Sequence, residues 1–376
     1  MSTPSLRAVL DTVAAYQPSA GVHGATARPR PLSANESPHP PLPGIVEAIA
    51  RAGATVNRYP DPGCGPLIRA LARHHGTDED RIAVGAGSLA LLQTLFQSVA
   101  DPGAEAVYAW PSFEVYPTLA ALAGVTSVQV PLTGATHDLP AMAARITPRT
   151  RLVIVCNPNN PTGTGVDPAE LRAFIASVPP TCLVAVDEAY HEYARGPAAP
   201  SALRLCADHP NLVVLRTFSK AYGLAGLRTG YLIGDARIVE KLRKACLPYA
   251  VSTVAQHAAV AALGLEEQLL RRVDETVAER TRVRDALLRR GLTVPDSLTN
   301  FLWLPLGPHA ADFGAWCASR GVAVRAFADV GVRVSIGSAE DDDRFLAAAD
   351  AWRRTTGRPV TAGAGQTQQL RKAAEA

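Results

Sequence analysis

The chain has 376 residues, 47% of them hydrophobic and 19% charged, with a formal net charge of +3. That length exceeds one simple core and predicts a large domain with a smaller companion. The near-neutral charge lacks a basic stripe for nucleic acid, and no apolar run approaches the roughly 18 residues of a membrane helix, so neither partner is expected.

The N-terminal stretch MSTPSLRAVLDTVAAYQP carries Asp11 and no apolar core ahead of a small-residue cleavage site, so it does not read as a secretory signal and the default expectation is cytoplasmic. Residues 19–44, rich in Pro, Gly, Ser and Ala, predict an extended arm. A helix is expected near 44–52, then the turn-rich NRYPDPGCG at 57–65, a helix over 65–75 and a short strand at Arg81–Val84. GAGSLALLQTLFQSVA follows, with glycines opening an apolar-periodic helix. Short β-type runs then recur at Ala106–Ala109, Ser127–Val130, Leu152–Cys156, Leu183–Val186, Leu212–Arg216 and Tyr231–Ile233, many separated by helical stretches. Such alternation predicts an α/β fold, a mostly parallel sheet sandwiched by helices. Long helices at 236–246 and 252–290 come next. Strands at Asn300–Leu304, Val322–Val324 and Val332–Ile336 and a helix at 340–354 then predict a smaller α+β C-terminal domain. The expected division is an N-terminal arm over 1–43, a large domain over 44–250, a small domain over 251–356 and a disordered tail over 357–376.

Cys64, Cys156, Cys182, Cys206, Cys246 and Cys317 form no CxxC, and the histidines form no HExxH. Reduced thiols and no metal site are therefore expected.

In an open parallel sheet, ligands bind at the carboxyl ends of the strands. Gly85-Ala86-Gly87-Ser88 follows one predicted strand, and Asn157-Pro158-Asn159-Asn160-Pro161-Thr162-Gly163 another. Asp187-Glu188-Ala189-Tyr190 follows a third. The fourth is followed by Thr217-Phe218-Ser219-Lys220 and then Ala221-Tyr222-Gly223-Leu224-Ala225-Gly226-Leu227-Arg228. Each segment alone has a plain reading: a tight turn, a turn, a helix cap, a solvated side chain. Their convergence on one sheet edge instead assembles an anion-binding helix start, an acid, a phenol, an amide, a lysine and an arginine. Lysine occurs only at 220, 241, 244 and 372, and only Lys220 sits in such a segment. Arginine cannot replace lysine where a neutral nucleophilic amine is needed. Gly85-Ala86-Gly87-Ser88-Leu89-Ala90 also fits a dinucleotide fingerprint. That fingerprint expects an acid at the end of the next strand, where this chain has Trp110-Pro111 with Glu105 ahead of the strand.

In order along the chain, these segments resemble the fold-type I pyridoxal-phosphate aminotransferases. The closest resemblance is to the histidinol-phosphate aminotransferases and their actinobacterial relatives that act on aromatic amino acids. It spans residues 30 to 355 and takes in Asn35-Glu36, Asn57-Arg58-Tyr59-Pro60-Asp61 and Gly331-Val332-Arg333-Val334. The resemblance implies pyridoxal 5'-phosphate held by Lys220 as a Schiff base, with Lys220 also moving the substrate α-proton. It implies Asp187 against the pyridine nitrogen, Asn160 and Tyr190 on the ring hydroxyl oxygen, and Phe113 stacked on the ring. Ala86, Gly87, Ser88, Ser219 and Arg228 would hold the phosphate. Tyr59 would reach the phosphate in the neighbouring subunit, which implies a homodimer. Arg333 would grip the substrate α-carboxylate as a fork. Tyr16, Asn160, Tyr249 and Arg325 would complete the substrate side. The implied reaction passes an amino group from an amino acid to a 2-oxo acid such as 2-oxoglutarate in two half-reactions, in amino-acid metabolism.

The substrate reading rests on fewer positions. Ser88-Leu89-Ala90 stands where histidinol-phosphate enzymes carry an amide or acid followed by Glu, and Phe113 stands where they carry Tyr. Both changes suit an apolar ring, so an aromatic L-amino acid is expected. Tyr249 and Arg325 keep histidinol phosphate open as the alternative. Ser37-Pro38-His39-Pro40-Pro41 departs from the usual arm. A specialised biosynthetic substrate, decarboxylation of a phosphorylated amino acid, and a non-catalytic cofactor-binding module also remain open.

Overall fold

The protein is described by a computed structural model over residues 5–15, 30–196 and 201–356. Tyr16 and the tail expected over 357–376 lie outside the described residues. Among the described residues no helix is long and apolar enough to cross a membrane.

The arm ends in β1 (Arg30–Pro31), and two helices follow, α1 (Pro43–Gly53) and α2 (Gly65–His75). Strands and helices then alternate as β2 (Ile82–Gly85), α3 (Ser88–Ser98), β3 (Glu105–Trp110), α4 (Tyr116–Ala123), β4 (Thr126–Pro131), α5 (Leu139–Ala144) and β5 (Thr150–Cys156). The alternation closes with α6 (Pro168–Ser177), β6 (Leu183–Asp187), β7 (Leu212–Thr217), β8 (Gly230–Gly234) and α7 (Ala236–Ala245). After α8 (Thr253–Gly264) and α9 (Glu266–Arg289) come β9 (Phe301–Leu304), α10 (Ala310–Ala318), β10 (Val322–Ala323), β11 (Arg325–Phe327), β12 (Gly331–Ser335) and α11 (Ala339–Thr356).

Strands β5 to β8 are apolar runs buried almost throughout, the pattern of a sheet covered on both faces. The seven-stranded sheet has the order β2-β8-β7-β6-β5-β3-β4, with β8 alone antiparallel to its neighbours. One face packs on α3, α4 and α7 through Leu92, Leu95, Phe96, Tyr116 and Val239. The other packs on α5 and α6 through Met142, Leu171, Phe174 and Ile175. Side-chain oxygens of Asp138, Asp167, Asp235 and Ser252 accept from the free N–H groups at the starts of α5, α6, α7 and α8. α3 differs: Gly87 stands at its N-cap and no side chain caps it. Its first N–H groups are left for something else.

A single helix is expected over 252–290, but the chain breaks it at Leu265 into α8 and α9. α8 is alanine-rich and lies against α1 and α2, while α9 is longer and amphipathic. The apolar packing also runs past the boundary expected at residue 250. Val251, Ala255, Ala259, Leu269 and Val273 share a cluster with Ile45, Leu67 and Phe218. Val283, Ala286 and Leu287 belong instead to the second cluster, built by β9, β12, α10 and α11 around Phe313 and Phe345. The change of cluster therefore falls inside α9. The smaller unit carries an antiparallel sheet of order β11-β12-β9 and a parallel β1–β10 pair that ties the arm to it. α10 and β11 are elements that the sequence reading did not separate.

Candidate active site

The carboxyl ends of β2, β3, β5, β6 and β7 share one edge of the sheet, and the reversed β8 begins there at Gly230. Every chemistry-bearing segment is delivered from that edge. The register of β5 and β6 sets Cys156 beside Asp187. In the turn after β5, Asn159 is fully buried and gathers the site's loops. Its amide donates to the Pro111 carbonyl at 3.2 Å and to Thr162 Oγ1 at 2.8 Å, and its Oδ1 accepts from Ser112 Oγ at 2.8 Å. Asn160 is thereby fixed at the cleft.

Asp187 is 4% exposed at the end of β6. Tyr116 Oη donates to its Oδ2 at 2.9 Å, and the Ala189 N–H to Oδ1 at 3.3 Å. Burial outweighs these donors and pushes the carboxyl up to about 6. A buried carboxyl in that condition favours a cationic partner, such as a protonated ring nitrogen. Behind it, Arg216 donates from Nε to Glu188 Oε2 at 2.8 Å, and the Ala202 N–H donates to Glu188 Oε1 at 2.6 Å. This buried pair ties the turn after β6 to β7, which leads directly into Ser219 and Lys220.

Lys220 donates from Nζ to the Ala34 carbonyl at 3.0 Å and the Asn35 carbonyl at 3.2 Å. Burial lowers its pKa to about 7, helped by the cationic Arg333 and Arg228 and opposed by Glu36. Asn35, 1% exposed and at φ 55°, donates from Nδ2 to Tyr190 Oη at 2.9 Å. Ser335 Oγ donates to Asn35 Oδ1 at 2.9 Å, and Asn300 Nδ2 to its carbonyl at 3.1 Å. The arm is thus pinned to both units and closes over Lys220. Burial pushes the Tyr190 hydroxyl up to about 12.

At the start of α3, Gly87 lies at φ +84°. A Cβ there would stand 2.6 Å from Arg228 Nη2, so the missing side chain leaves a cradle between the helix start and the guanidinium. Arg228 donates from Nη1 to Ser219 Oγ at 3.2 Å. Ala86, Gly87, Ser88, Ser219 and Arg228 converge as N–H, O–H and cationic donors, the set that holds a phosphate at a helix N-terminus. The pieces a pyridoxal phosphate needs are all of the right chemistry: an anion cradle, a buried acid and a primary amine.

Arg333 on β12 donates from Nη1 to Asn160 Oδ1 and from Nη2 to the Ser33 carbonyl at 2.6 Å. Arg325 on β11 is its register partner and donates from Nη2 to Glu114 Oε2 at 2.7 Å. Phe113, beside Glu114, meets Tyr116 edge-on with ring centroids 5.5 Å apart. Tyr59 and Tyr249 form a pair of their own, centroids 4.9 Å apart, outside the hydrogen-bonded group around Lys220. Tyr249 and Ala86 line a cavity of about 400 Å³ behind the α3 start, together with Asp61, Thr94 and Cys246. Sequence reasoning did not place Tyr116, Asn159 or Glu114 in the site and gave Asn35 no role. Their signal is the contact itself, which joins positions as distant as Tyr116 and Asp187.

Known proteins resemble this chain over most of its length. The family described as "Aminotransferase class I and II" matches residues 30–348. The chain is 54% identical to an aromatic amino acid aminotransferase of Thermobifida fusca, covering 92% of this chain and 96% of that one. It is 51% identical to an aromatic amino acid aminotransferase of Rhodococcus jostii, over 92% and 96%. Among solved structures it is similar to a histidinol-phosphate aminotransferase of Sinorhizobium meliloti in complex with pyridoxal-5'-phosphate. That match has a TM-score of 0.87 and 29% identity and covers 94% of this chain and 99% of that one. With the match extending from the arm through α9 and onto α11, the chain belongs to the aminotransferase class I and II family.

Proposed function

We propose that the protein uses pyridoxal 5'-phosphate to transfer the amino group of an aromatic L-amino acid to a 2-oxo acid such as 2-oxoglutarate. The observation that carries the substrate is the identity of about half the residues, over nearly the full length, with enzymes named for aromatic amino acids. The apolar Phe113 and Leu89, both partly buried against the same cluster, support it. When bound, the cofactor supplies a carbonyl carbon for covalent capture and a protonated ring that accepts the electrons released at the substrate α-carbon.

The chain's own residues divide the remaining work. Lys220, with its proton only loosely held, anchors the cofactor and then carries the proton to and from the substrate α-carbon. Asp187 keeps the ring nitrogen protonated, and Tyr116 holds that carboxylate in line. Asn160 and Tyr190 take the ring hydroxyl oxygen, and Phe113 covers the ring face. Ala86, Gly87, Ser88, Ser219 and Arg228 hold the phosphate. Arg333 binds the α-carboxylate, already oriented by Asn160 and Ser33. Tyr16, Tyr249 and Arg325 complete the substrate side. The chain acts as a homodimer in which Tyr59 serves the neighbouring site. Supporting this, Tyr59 is 83% exposed and lies against the exposed Tyr249, with Val56 and Leu247 exposed nearby in sequence.

A half-reaction screen tests the reading. Cofactor-loaded protein is mixed with single amino acids or histidinol phosphate, and loss of the visible cofactor absorbance is followed. Phenylalanine or tyrosine should convert fastest, and Lys220→Ala should abolish turnover while remaining folded. Preference for histidinol phosphate would replace the aromatic assignment, and near wild-type turnover of Lys220→Ala would remove Lys220 from its role.

A further inference from the structure

The anion-binding end of the cleft holds two guanidinium groups where an amino acid presents one carboxylate. Arg325 and Arg333 face each other across β11 and β12. Both guanidinium carbons lie about 6 Å from the Phe327 ring centroid, Arg325 at 6.0 Å and Arg333 at 5.9 Å. They therefore project from the same face of the small sheet. Their partners differ in kind. Arg333 donates to two neutral acceptors, Asn160 Oδ1 and the Ser33 carbonyl. Arg325 is held at 2.7 Å by the carboxylate of Glu114, which comes from the other unit, in the loop after β3 and next to Phe113. The two side chains are only 17% and 26% exposed, so solvent screens the pair weakly.

We propose that Glu114 is a specificity-determining residue that cancels the charge of Arg325. The three side chains, two arginines and one glutamate, sum to a single positive charge. A carboxylate, with one negative charge, matches it. A phosphate monoester, near two negative charges at neutral pH, needs both arginines free and meets the carboxylate of Glu114 instead. Carboxylate substrates are then accepted and phosphate substrates rejected by charge balance, on a cleft that keeps the second arginine. Arg325 alone, read from sequence, points toward a phosphate substrate, whereas the Glu114 contact reverses that reading. This inference rests on the aromatic amino acid assignment above.

The test compares wild type, Glu114→Gln and Glu114→Asp. For each, kcat/KM is measured with L-phenylalanine and with histidinol phosphate, and inorganic phosphate is titrated as a competitor of phenylalanine. Glu114→Gln should lower the ratio of phenylalanine to histidinol phosphate by about tenfold and strengthen phosphate inhibition by a similar factor. Glu114→Asp should stay near wild type. The gain should vanish in Glu114→Gln combined with Arg325→Gln, because the charge that Glu114 cancels is then absent. An unchanged ratio and unchanged phosphate inhibition in Glu114→Gln overturn the proposal. Phosphate inhibition reads the charge balance whichever amino donor is preferred. Failure of wild type to convert phenylalanine would therefore sink the aromatic assignment separately.

Discussion

At Lys220 the environment decides whether the amine can act. Burial and the nearby guanidinium groups of Arg333 and Arg228 bring its pKa to about 7, far below an ordinary lysine. Only the neutral amine attacks a carbonyl. Capture of pyridoxal phosphate by the cofactor-free protein should therefore speed up as pH rises through about 7 and level off above it. Below that midpoint the rate should fall about tenfold per pH unit. Arg333→Gln removes a cationic neighbour, so the amine should hold its proton more tightly and the midpoint should move to higher pH. Stopped-flow reconstitution across a pH series measures both, and a midpoint in the ordinary lysine range would refute the assignment. The same shift acts on stability with a definite sign. Between about 7 and the ordinary lysine range the unfolded chain binds a proton at this residue that the folded chain does not. Its contribution to stability thus grows with pH across that window.

At the scale of elements, the start of α3 does two jobs that two glycines separate. A Cβ on Gly87 would meet the far end of the flexible Arg228 side chain at 2.6 Å. A Cβ on Gly230 would meet the Ser88 backbone nitrogen at 2.4 Å, and backbone cannot give way. Gly87→Ala should therefore fold with a loss of about 1–3 kcal/mol from its positive φ, and displace Arg228 from the cradle. Cofactor affinity should fall at least about tenfold, as expected for a charge-assisted contact. Gly230→Ala should instead fail in thermal stability, with cofactor affinity following only as the fold is lost. Equilibrium titration and melting curves of the two variants separate the cases, and equal affinity in Gly87→Ala and wild type would show that the cradle holds no phosphate. The glycine-led opening of α3 was legible because glycines before an apolar-periodic run are a local signal. So were β5 to β8, whose β-branched runs carry their burial in their composition. The break at Leu265 was not, because α8 and α9 are both helical by propensity and the packing of α8 on α1 and α2 is a tertiary contact. The three-residue β11 was too short to show a period, and its Arg325 finds Glu114 across 211 residues of sequence. A separation of 71 residues likewise hid the contact of Tyr116 with Asp187. Sequence yields residue types at strand ends, while the partners that tune them are set by tertiary contact.

For the whole molecule, the question is which chain completes which site. Tyr59 stands 83% exposed and packs, among the described residues, against the ring of Tyr249, itself 48% exposed, so neither ring is buried in the core of its own chain. Val56 and Leu247, close to them in sequence, are exposed as well, apolar surface that favours burial against a second copy. If Tyr59 serves the neighbouring site, two crippled chains should rescue each other. In a mixed dimer of Lys220→Ala and Tyr59→Ala chains, the site on the Tyr59→Ala chain keeps its own Lys220 and receives an intact Tyr59 from its partner. The other site lacks both. Random assembly then restores roughly a quarter of all sites, so the mixture should exceed the activity of either variant alone. If Tyr59 acts on its own chain, every site in the mixture lacks one residue and no recovery occurs. Dissociation and reassembly of the two purified variants, with turnover measured before and after and light scattering reporting mass at twice that of the chain, decides between the two arrangements.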